Sequence, residues 1–249
     1  MKVILIFLAV LLYPVTSLLG QSGVQKYAGT AMPYPLIKAL STSNHEGMTP
    51  FYINHLGRHG ARFPTSGKAL EKVKGALVLA EQEKRLTAKG VELLATVLQL
   101  SEAFNGQWGE LSPIGEQEQK EIAERMLFRY PELFADSARI EAIATYVPRC
   151  INSMDAFLSG MKKRDSSLVI QRNAGKQYDT FLRFFDLNQP YLHYKEKGGW
   201  IPLYESFVRD KIMVAPVMNR IFLTSGKETE QESREFVMAL FSIAAILPD

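Results

Sequence analysis

The stretch Phe51-Tyr-Ile-Asn-His-Leu-Gly-Arg-His-Gly-Ala-Arg-Phe-Pro64 joins an apolar run to a short basic loop. Residues 51–56 combine aromatic and β-branched side chains, which predicts a buried strand. Gly57 and Gly60 allow the backbone to turn directly after it. Because α/β folds place reactive groups at the carboxyl ends of parallel strands, we expect His59 to lie at such an edge.

The loop places Arg58 and Arg62 on either side of His59. An arginine guanidinium is always charged, and its fork of donors matches phosphate oxygens. A neutral imidazole can attack phosphorus, and two nearby positive charges disfavour the imidazolium form. The cluster therefore predicts a phosphate site around a histidine that acts as a nucleophile or a proton-transfer group, whereas Arg-His-Gly alone also fits a solvated surface loop.

The rest of the chain alternates helical and strand patterns. The predicted helices are 68–85, a second from Thr87 onward, a third from the capping residues Ser112-Pro113 to Tyr130, and a fourth from Pro148 to Gly160. The predicted strands are 140–146 and 167–170. From Thr180 onward the pattern is mainly helical, with a polar break at 224–228. This alternation indicates an α/β fold with a parallel sheet.

Four segments, in order along the chain, carry a family resemblance. They are Arg58-His-Gly-Ala-Arg-Phe-Pro64, Leu111-Ser-Pro-Ile-Gly-Glu-Gln-Glu-Gln119, Val147-Pro-Arg-Cys-Ile-Asn-Ser-Met-Asp-Ala-Phe-Leu-Ser-Gly160 and Leu182-Arg-Phe-Phe-Asp186. The first three resemble the RHGxRxP, LTPxGxxQ and RCxxSxxAFxxG patterns of the histidine acid phosphatases, the branch of the histidine phosphatase superfamily that includes phytases. The fourth resembles the LRFFD stretch of multiple inositol polyphosphate phosphatases. Ser112 replaces the threonine of the second pattern, and Glu118 replaces its glutamine.

The resemblance implies a hydrolase of phosphomonoesters whose substrates are inositol polyphosphates such as phytate. In such an enzyme His59 is the nucleophile that forms a phosphohistidine, and Arg58, Arg62 and Arg149 form the phosphate clamp. No metal or other cofactor is implied, because the arginines supply the positive charge. The implied fold is a three-layer sheet with flanking helices, joined to a mainly helical second domain. The expected division is a signal peptide at 1–20, an α/β core at 21–165 and a helical domain at 166–249.

Three further residues follow from the same resemblance as candidate substrate contacts. Arg183 is expected to contact the outlying phosphates of a polyanionic substrate, or else to pair with Asp186 or Asp179. Thr65 and Lys68, just past the first motif, are further candidates for the substrate pocket.

The sequence does not show the proton donor that the implied reaction needs. An inositol alkoxide leaves poorly unless a donor protonates it, and the resembled family supplies the donor from a His-Asp or His-Ala-Glu motif late in the chain. Here His45, His55, His59 and His193 stand in neither setting. His55 is expected to be packed or hydrogen-bonded, and His193 to be structural. We therefore expect a chain that is incomplete at its C-terminus and that binds phosphate but turns over poorly. A non-catalytic phosphate-binding remnant and a sugar-phosphate phosphatase of the same superfamily are the alternatives.

The N-terminus carries a targeting pattern. Lys2 precedes an apolar run at 3–13, and small residues follow as far as Gly20. This order predicts a secretory signal peptide, with a buried helix or membrane anchor as the alternative. We expect a secreted or periplasmic protein that does not contact the membrane after cleavage. The single cysteine, Cys150, rules out an intrachain disulfide and is expected to be buried, and a net charge of +3 is too small to predict nucleic-acid binding.

Overall fold

The structure is a computed structural model that describes residues 47–135, 138–223 and 228–246. Over these residues it contains two strands, β1 (Arg139–Ala144) and β2 (Val169–Ala174). The α-helices are α1 (Lys68–Gln82), α2 (Ala88–Ala103), α3 (Pro113–Arg129), α4 (Pro148–Arg164), α5 (Asp179–Leu182), α6 (Phe184–Leu187), α7 (Gln189–Lys197), α8 (Trp200–Lys211), α9 (Val214–Ile221) and α10 (Glu230–Ala244). The expected signal peptide and residues 224–227 of the predicted polar break lie outside the described residues.

Helices α1 and α2 confirm the prediction from hydrophobic spacing. In α1, Leu70, Val73 and Leu77 recur at helical intervals and are buried, so one face of the helix enters a core. Thr87 caps α2, because its side-chain oxygen accepts a hydrogen bond from Gly90 N at 3.0 Å. These two helices share one hydrophobic core with α9 and α10, whose buried side chains include Met218, Ile221, Phe236, Val237 and Ile243.

Helix α3 also begins where the sequence predicts. The Ser112 hydroxyl oxygen accepts a hydrogen bond from Gly115 N at 3.1 Å, and Pro113 occupies the first helical position. Its buried residues Ala123 and Leu127 pack with Met161 of α4 in a second hydrophobic core. Helices α3 and α4 are therefore held against each other by apolar contacts.

The two strands lie parallel, which confirms the predicted parallel pairing. Arg139 is opposite Val169 and Ala144 is opposite Ala174. Ile140 of β1 and Ile170 of β2 pack on the core between α3 and α4, so the helices cover that face of the sheet. Since parallel strands end at the same edge, the turns after Ala144 and Ala174 lie next to each other.

The predicted strand at 51–56 is wrong. These residues form no regular secondary structure, and Phe51, Tyr52 and Leu56 are 93%, 73% and 83% exposed. A strand is stable only when its backbone groups pair with a neighbour, and among the described residues the sheet contains β1 and β2 alone. An aromatic and β-branched composition favours a strand, but it does not supply the partner.

Contacts cross the expected domain boundary at 165/166. Strand β1 precedes the boundary and pairs with β2, which follows it, and α10 packs on α1. The division into a core and a helical domain stays a prediction, as does the three-layer arrangement. Over the described residues the fold is mostly helical with a small parallel sheet, and none of these helices is long and apolar enough to cross a membrane.

Candidate active site

The loop that carries His59 is paired with the segment that leads into α3. Residues 61–64 run antiparallel to residues 109–112, with Arg62 opposite Leu111. The backbone hydrogen bonds run from Ser112 N to Ala61 O (2.9 Å), from Phe63 N to Glu110 O (3.0 Å) and from Gly109 N to Pro64 O (2.8 Å). This pairing seats the basic loop against the N-terminal end of α3.

A close approach between two glycines lets the loop reach α3. A Cβ atom added to Gly60 would lie 2.6 Å from the carbonyl carbon of Gly115 and 2.7 Å from its Cα atom. A Cβ atom added to Gly115 would lie 2.5 Å from Ala61 N and closer still to Ala61 O. Only residues without a Cβ fit this backbone contact. The glycine of the RHG motif and the glycine of the second motif are therefore required by the same contact.

Three side chains bind the backbone of the loop. Ser153 Oγ of α4 accepts a hydrogen bond from Gly60 N at 3.1 Å and donates one to Arg149 O at 2.7 Å. Two side chains of α3 contribute the other bonds. Glu118 Oε2 accepts from Ala61 N at 2.8 Å, and Gln119 Nε2 donates to Arg58 O at 3.3 Å. No local sequence signal indicates these bonds, although all three residues lie within the segments that carry the resemblance.

His59 is half-buried and its ring is oriented by its own neighbour. Nδ1 lies 2.8 Å from Gly60 O, and a carbonyl oxygen only accepts, so Nδ1 carries the proton. The lone pair is then on Nε2. Burial lowers the pKa of His59 below 6.5, and the positive charges of the three clamp arginines lower it further, while the bond to Gly60 opposes them. Both the lowered pKa and the bond to Gly60 therefore favour the neutral imidazole with its lone pair on Nε2.

The structure brings the three predicted clamp arginines around His59. Arg58, Arg62 and Arg149 are all close enough for their charges to lower its pKa. Arg149 lies in the first turn of α4, where the helix dipole also favours an anion. Its Nε atom is buried and has no hydrogen-bond partner among the described residues, which is the state expected of a donor that awaits a ligand.

Arg183 lies in a different environment from the clamp. Its Nε donates to Asp186 Oδ2 at 2.8 Å, and its Nη2 donates to the same oxygen, so the predicted pairing with Asp186 is confirmed. Its guanidinium carbon lies 5.7 Å from the ring centroid of Tyr146, and Lys176 Nζ lies 5.3 Å from the same centroid. Tyr146 comes just after β1 and Lys176 just after β2, so both cations lie beyond the carboxyl ends of the strands. The expected contact of Arg183 with a substrate stays a prediction.

The two remaining candidate residues, Thr65 and Lys68, have exposed side chains. Thr65 is exposed, and its Cα atom and the Arg149 guanidinium both lie beside Gly109. Lys68 is exposed at the start of α1. The roles proposed for Thr65 and Lys68 stay predictions.

The other histidines and the cysteine are only partly as expected. The ring of His55 stacks on Phe157, with centroids 5.2 Å apart and planes 9° from parallel, which confirms that it is packed. His193 is exposed on α7. Cys150 is partly exposed, so the prediction that it is buried is wrong. Within the described ranges, no three or more His, Cys, Asp or Glu side chains are grouped closely enough to hold a metal ion.

The residues of this candidate site lie within a match to a known protein family. The sequence profile of the histidine phosphatase superfamily (branch 2) matches residues 52–197, which contain the basic loop and the first turn of α4. The chain belongs to this superfamily. The matched range includes His59 and the three arginines that are predicted to form the clamp.

Two curated relatives carry the name multiple inositol polyphosphate phosphatase 1. The protein of Gallus gallus is 25% identical over 193 residues, and that of Homo sapiens is 25% identical over 203 residues. The matched region covers 72% of this chain and 42% of each relative. The histidine phosphatase chain described here therefore spans less than half the length of the relatives it matches.

Proposed function

We propose that this chain is a phosphomonoesterase that transfers a phosphoryl group to His59. The observation that carries the proposal is the placement of the His59 ring, whose Nδ1 lies 2.8 Å from Gly60 O and on which the positive charges of Arg58, Arg62 and Arg149 all act. A neutral nucleophile within a fixed cationic cluster suits attack on an anionic phosphate.

The proposed reaction has two displacements at phosphorus. Nε2 of His59 forms a bond to phosphorus as the bond from phosphorus to the ester oxygen breaks, which gives a phosphohistidine and an alcohol or alkoxide. Water then attacks the same phosphorus, releases inorganic phosphate and returns His59 to the neutral form. The three arginines neutralise the equatorial oxygens in both steps.

A labelling experiment tests this proposal without depending on a proton donor. Dinitrophenyl phosphate has a leaving group that departs as a stable anion, so it needs no general acid. We expect the full chain to form an acid-labile phosphohistidine with radiolabelled dinitrophenyl phosphate and His59→Gln to form none. The matched control is His193→Gln, which removes an exposed histidine and should label like the wild type. Labelling that persists in His59→Gln, or a wild type that never labels, contradicts the proposal.

Inositol polyphosphates are the substrates we propose. The support is the name of the two relatives, together with Lys176 beside Tyr146, which offers positive charge beyond the clamp. Arg183 lies beside the same ring and would exchange Asp186 for a substrate phosphate. Phytate should compete with dinitrophenyl phosphate for His59 more strongly than glucose 1-phosphate does. Equal competition by glucose 1-phosphate favours the sugar-phosphate alternative, and phosphate binding without any phosphohistidine favours a non-catalytic binding protein.

We further propose that the protein is secreted or periplasmic, on the basis of the N-terminal pattern at 1–20. Expression of the full chain with its N-terminus, followed by mass spectrometry of the mature protein, tests this. Retention of residues 1–20 in the cell-associated fraction contradicts it.

A further inference from the structure

Glu118 is connected to the ring of His59 through a single peptide group. Its Oε2 accepts a hydrogen bond from Ala61 N at 2.8 Å. The same peptide group carries Gly60 O, which accepts the bond from His59 Nδ1 at 2.8 Å. We propose that Glu118 is a positioning residue that acts through the Gly60–Ala61 peptide to keep the proton of His59 on Nδ1 and Nε2 ready for attack. The inference rests on the proposed phosphoryl transfer to His59.

The geometry of a peptide group explains how the carboxylate reaches the ring. The peptide is planar and trans, so fixing its N–H end also fixes the direction of its carbonyl. The bond to Glu118 involves a charged acceptor, and in a row of hydrogen bonds each one polarises the next. Gly60 O thereby becomes a stronger acceptor for Nδ1. Ala61 is buried, so water does not take the place of the carboxylate when the side chain of Glu118 is shortened. The amide of Ala61 is then left without a hydrogen-bond partner.

The carboxylate also brings a negative charge to the loop. The positive charges of Arg58, Arg62 and Arg149 act on His59, whereas Glu118 is bound at Ala61 N. We expect this negative charge to weaken the attraction of the cluster for phosphate, while the polarised Gly60 carbonyl makes the imidazole a better nucleophile. Removing the charge should therefore improve phosphate binding and slow phosphorylation. A residue that only stabilised the fold would change both in the same direction.

Two substitutions separate the hydrogen bond from the charge. Glu118→Gln keeps an oxygen acceptor for Ala61 N and removes the charge, whereas Glu118→Ala removes both. For Glu118→Gln we expect the dissociation constant of inorganic phosphate, measured by calorimetry, to fall about threefold. The rate of His59 labelling by saturating dinitrophenyl phosphate should fall about five- to tenfold. For Glu118→Ala we expect labelling about a hundredfold slower, because the ring loses its fixed orientation.

Glu116→Gln is the matched control. Glu116 lies in the first turn of α3, is exposed and pairs with Lys120, so this change removes one carboxylate from the same helix without touching the loop. Phosphate binding and labelling should both stay within about twofold of the wild type. Labelling rates within about twofold of the wild type in both Glu118 variants overturn the proposal. The proposal is also overturned if the Glu118 variants lose labelling, phosphate affinity and thermal stability together, because a purely structural role predicts that result.

A readout that needs no phosphoryl transfer keeps the two proposals apart. Nitrogen NMR shifts of the imidazole report which ring nitrogen carries the proton. The wild type and Glu118→Gln should show the Nδ1–H tautomer of His59, and Glu118→Ala a mixture of tautomers. An unchanged tautomer in Glu118→Ala refutes the positioning role. Failure of the wild type to label refutes the proposed function, whereas the tautomer still decides the role of Glu118.

Discussion

Gly115→Ala tests the close backbone contact on which the site depends. The new Cβ atom would lie 2.5 Å from Ala61 N, whereas real Cβ atoms essentially never approach another atom within 3.0 Å. The overlap with Ala61 O is larger. Both partners are backbone atoms, so no side-chain rotation relieves the contact, and the loop must move away from α3.

The expected cost follows from the bonds that this movement strains. Overpacking of a tight contact costs about 1–3 kcal/mol. Ala61 also makes two hydrogen bonds at this point, from its amide to Glu118 and to its carbonyl from Ser112, each worth about 1 kcal/mol. The better helix propensity of alanine returns about 1 kcal/mol. We therefore expect Gly115→Ala to lower the free energy of unfolding by about 3 kcal/mol.

Gly75→Ala supplies the matched control. Gly75 lies in the middle of α1, and a Cβ atom added there meets no atom within 4 Å. The same substitution should therefore raise the free energy of unfolding by about 0.5–1 kcal/mol, because alanine favours a helix. Urea denaturation of both variants measures the two changes. A Gly115→Ala protein as stable as the wild type refutes the close approach between the loop and α3.

Two further predictions concern the charge of the site and the cap of α2. Replacing Arg149 with Met removes one of the positive charges that lower the pKa of His59. An NMR titration of the ring should show this pKa rising toward 6.5, while burial still keeps it below that value. An unchanged or lower pKa contradicts the placement of Arg149. Thr87→Ala removes the hydrogen bond from Gly90 N and the one donated to Arg220 O (2.6 Å). Urea denaturation should show that the free energy of unfolding falls by about 1–2 kcal/mol. A decrease below about 0.3 kcal/mol contradicts the capping role.

The starts of α2 and α3 could be predicted from the sequence because capping residues act over only a few positions. Thr87 and Ser112-Pro113 mark the starts of α2 and α3 through short-range hydrogen bonds, which depend little on the rest of the fold. The predicted strands at 140–146 and 167–170 overlap β1 and β2, which precede and follow α4, although β2 continues through the polar residues 171–173 to Ala174. These elements can be recognised from local sequence without knowledge of distant contacts.

The segment 51–56 shows the limit of the same reasoning. Its composition is as strand-like as that of β1, yet β1 has a partner and 51–56 has none among the described residues. Pairing is a long-range property, and the composition of a single segment does not contain it. The location of His59 at the edge of a strand was therefore inferred from the wrong element. The loop is held instead by its pairing with residues 109–112 and by α3 and α4.

The sequence motifs indicate the side chains of the proposed phosphate site more readily than those that hold the loop. Arg58, His59 and Arg62 lie within five residues of the chain and are chemically distinctive, so a phosphate site around His59 could be proposed from the sequence. Glu118 and Ser153 bind backbone amides of the loop, and a carboxylate or a hydroxyl on a helix surface gives no local sign of such a bond. Only the packing of α3 beside α4 brings both to the same loop. Because these supports bind backbone atoms, we expect the loss of their hydrogen bonds to disturb the position of His59 while the groups proposed to contact the substrate remain.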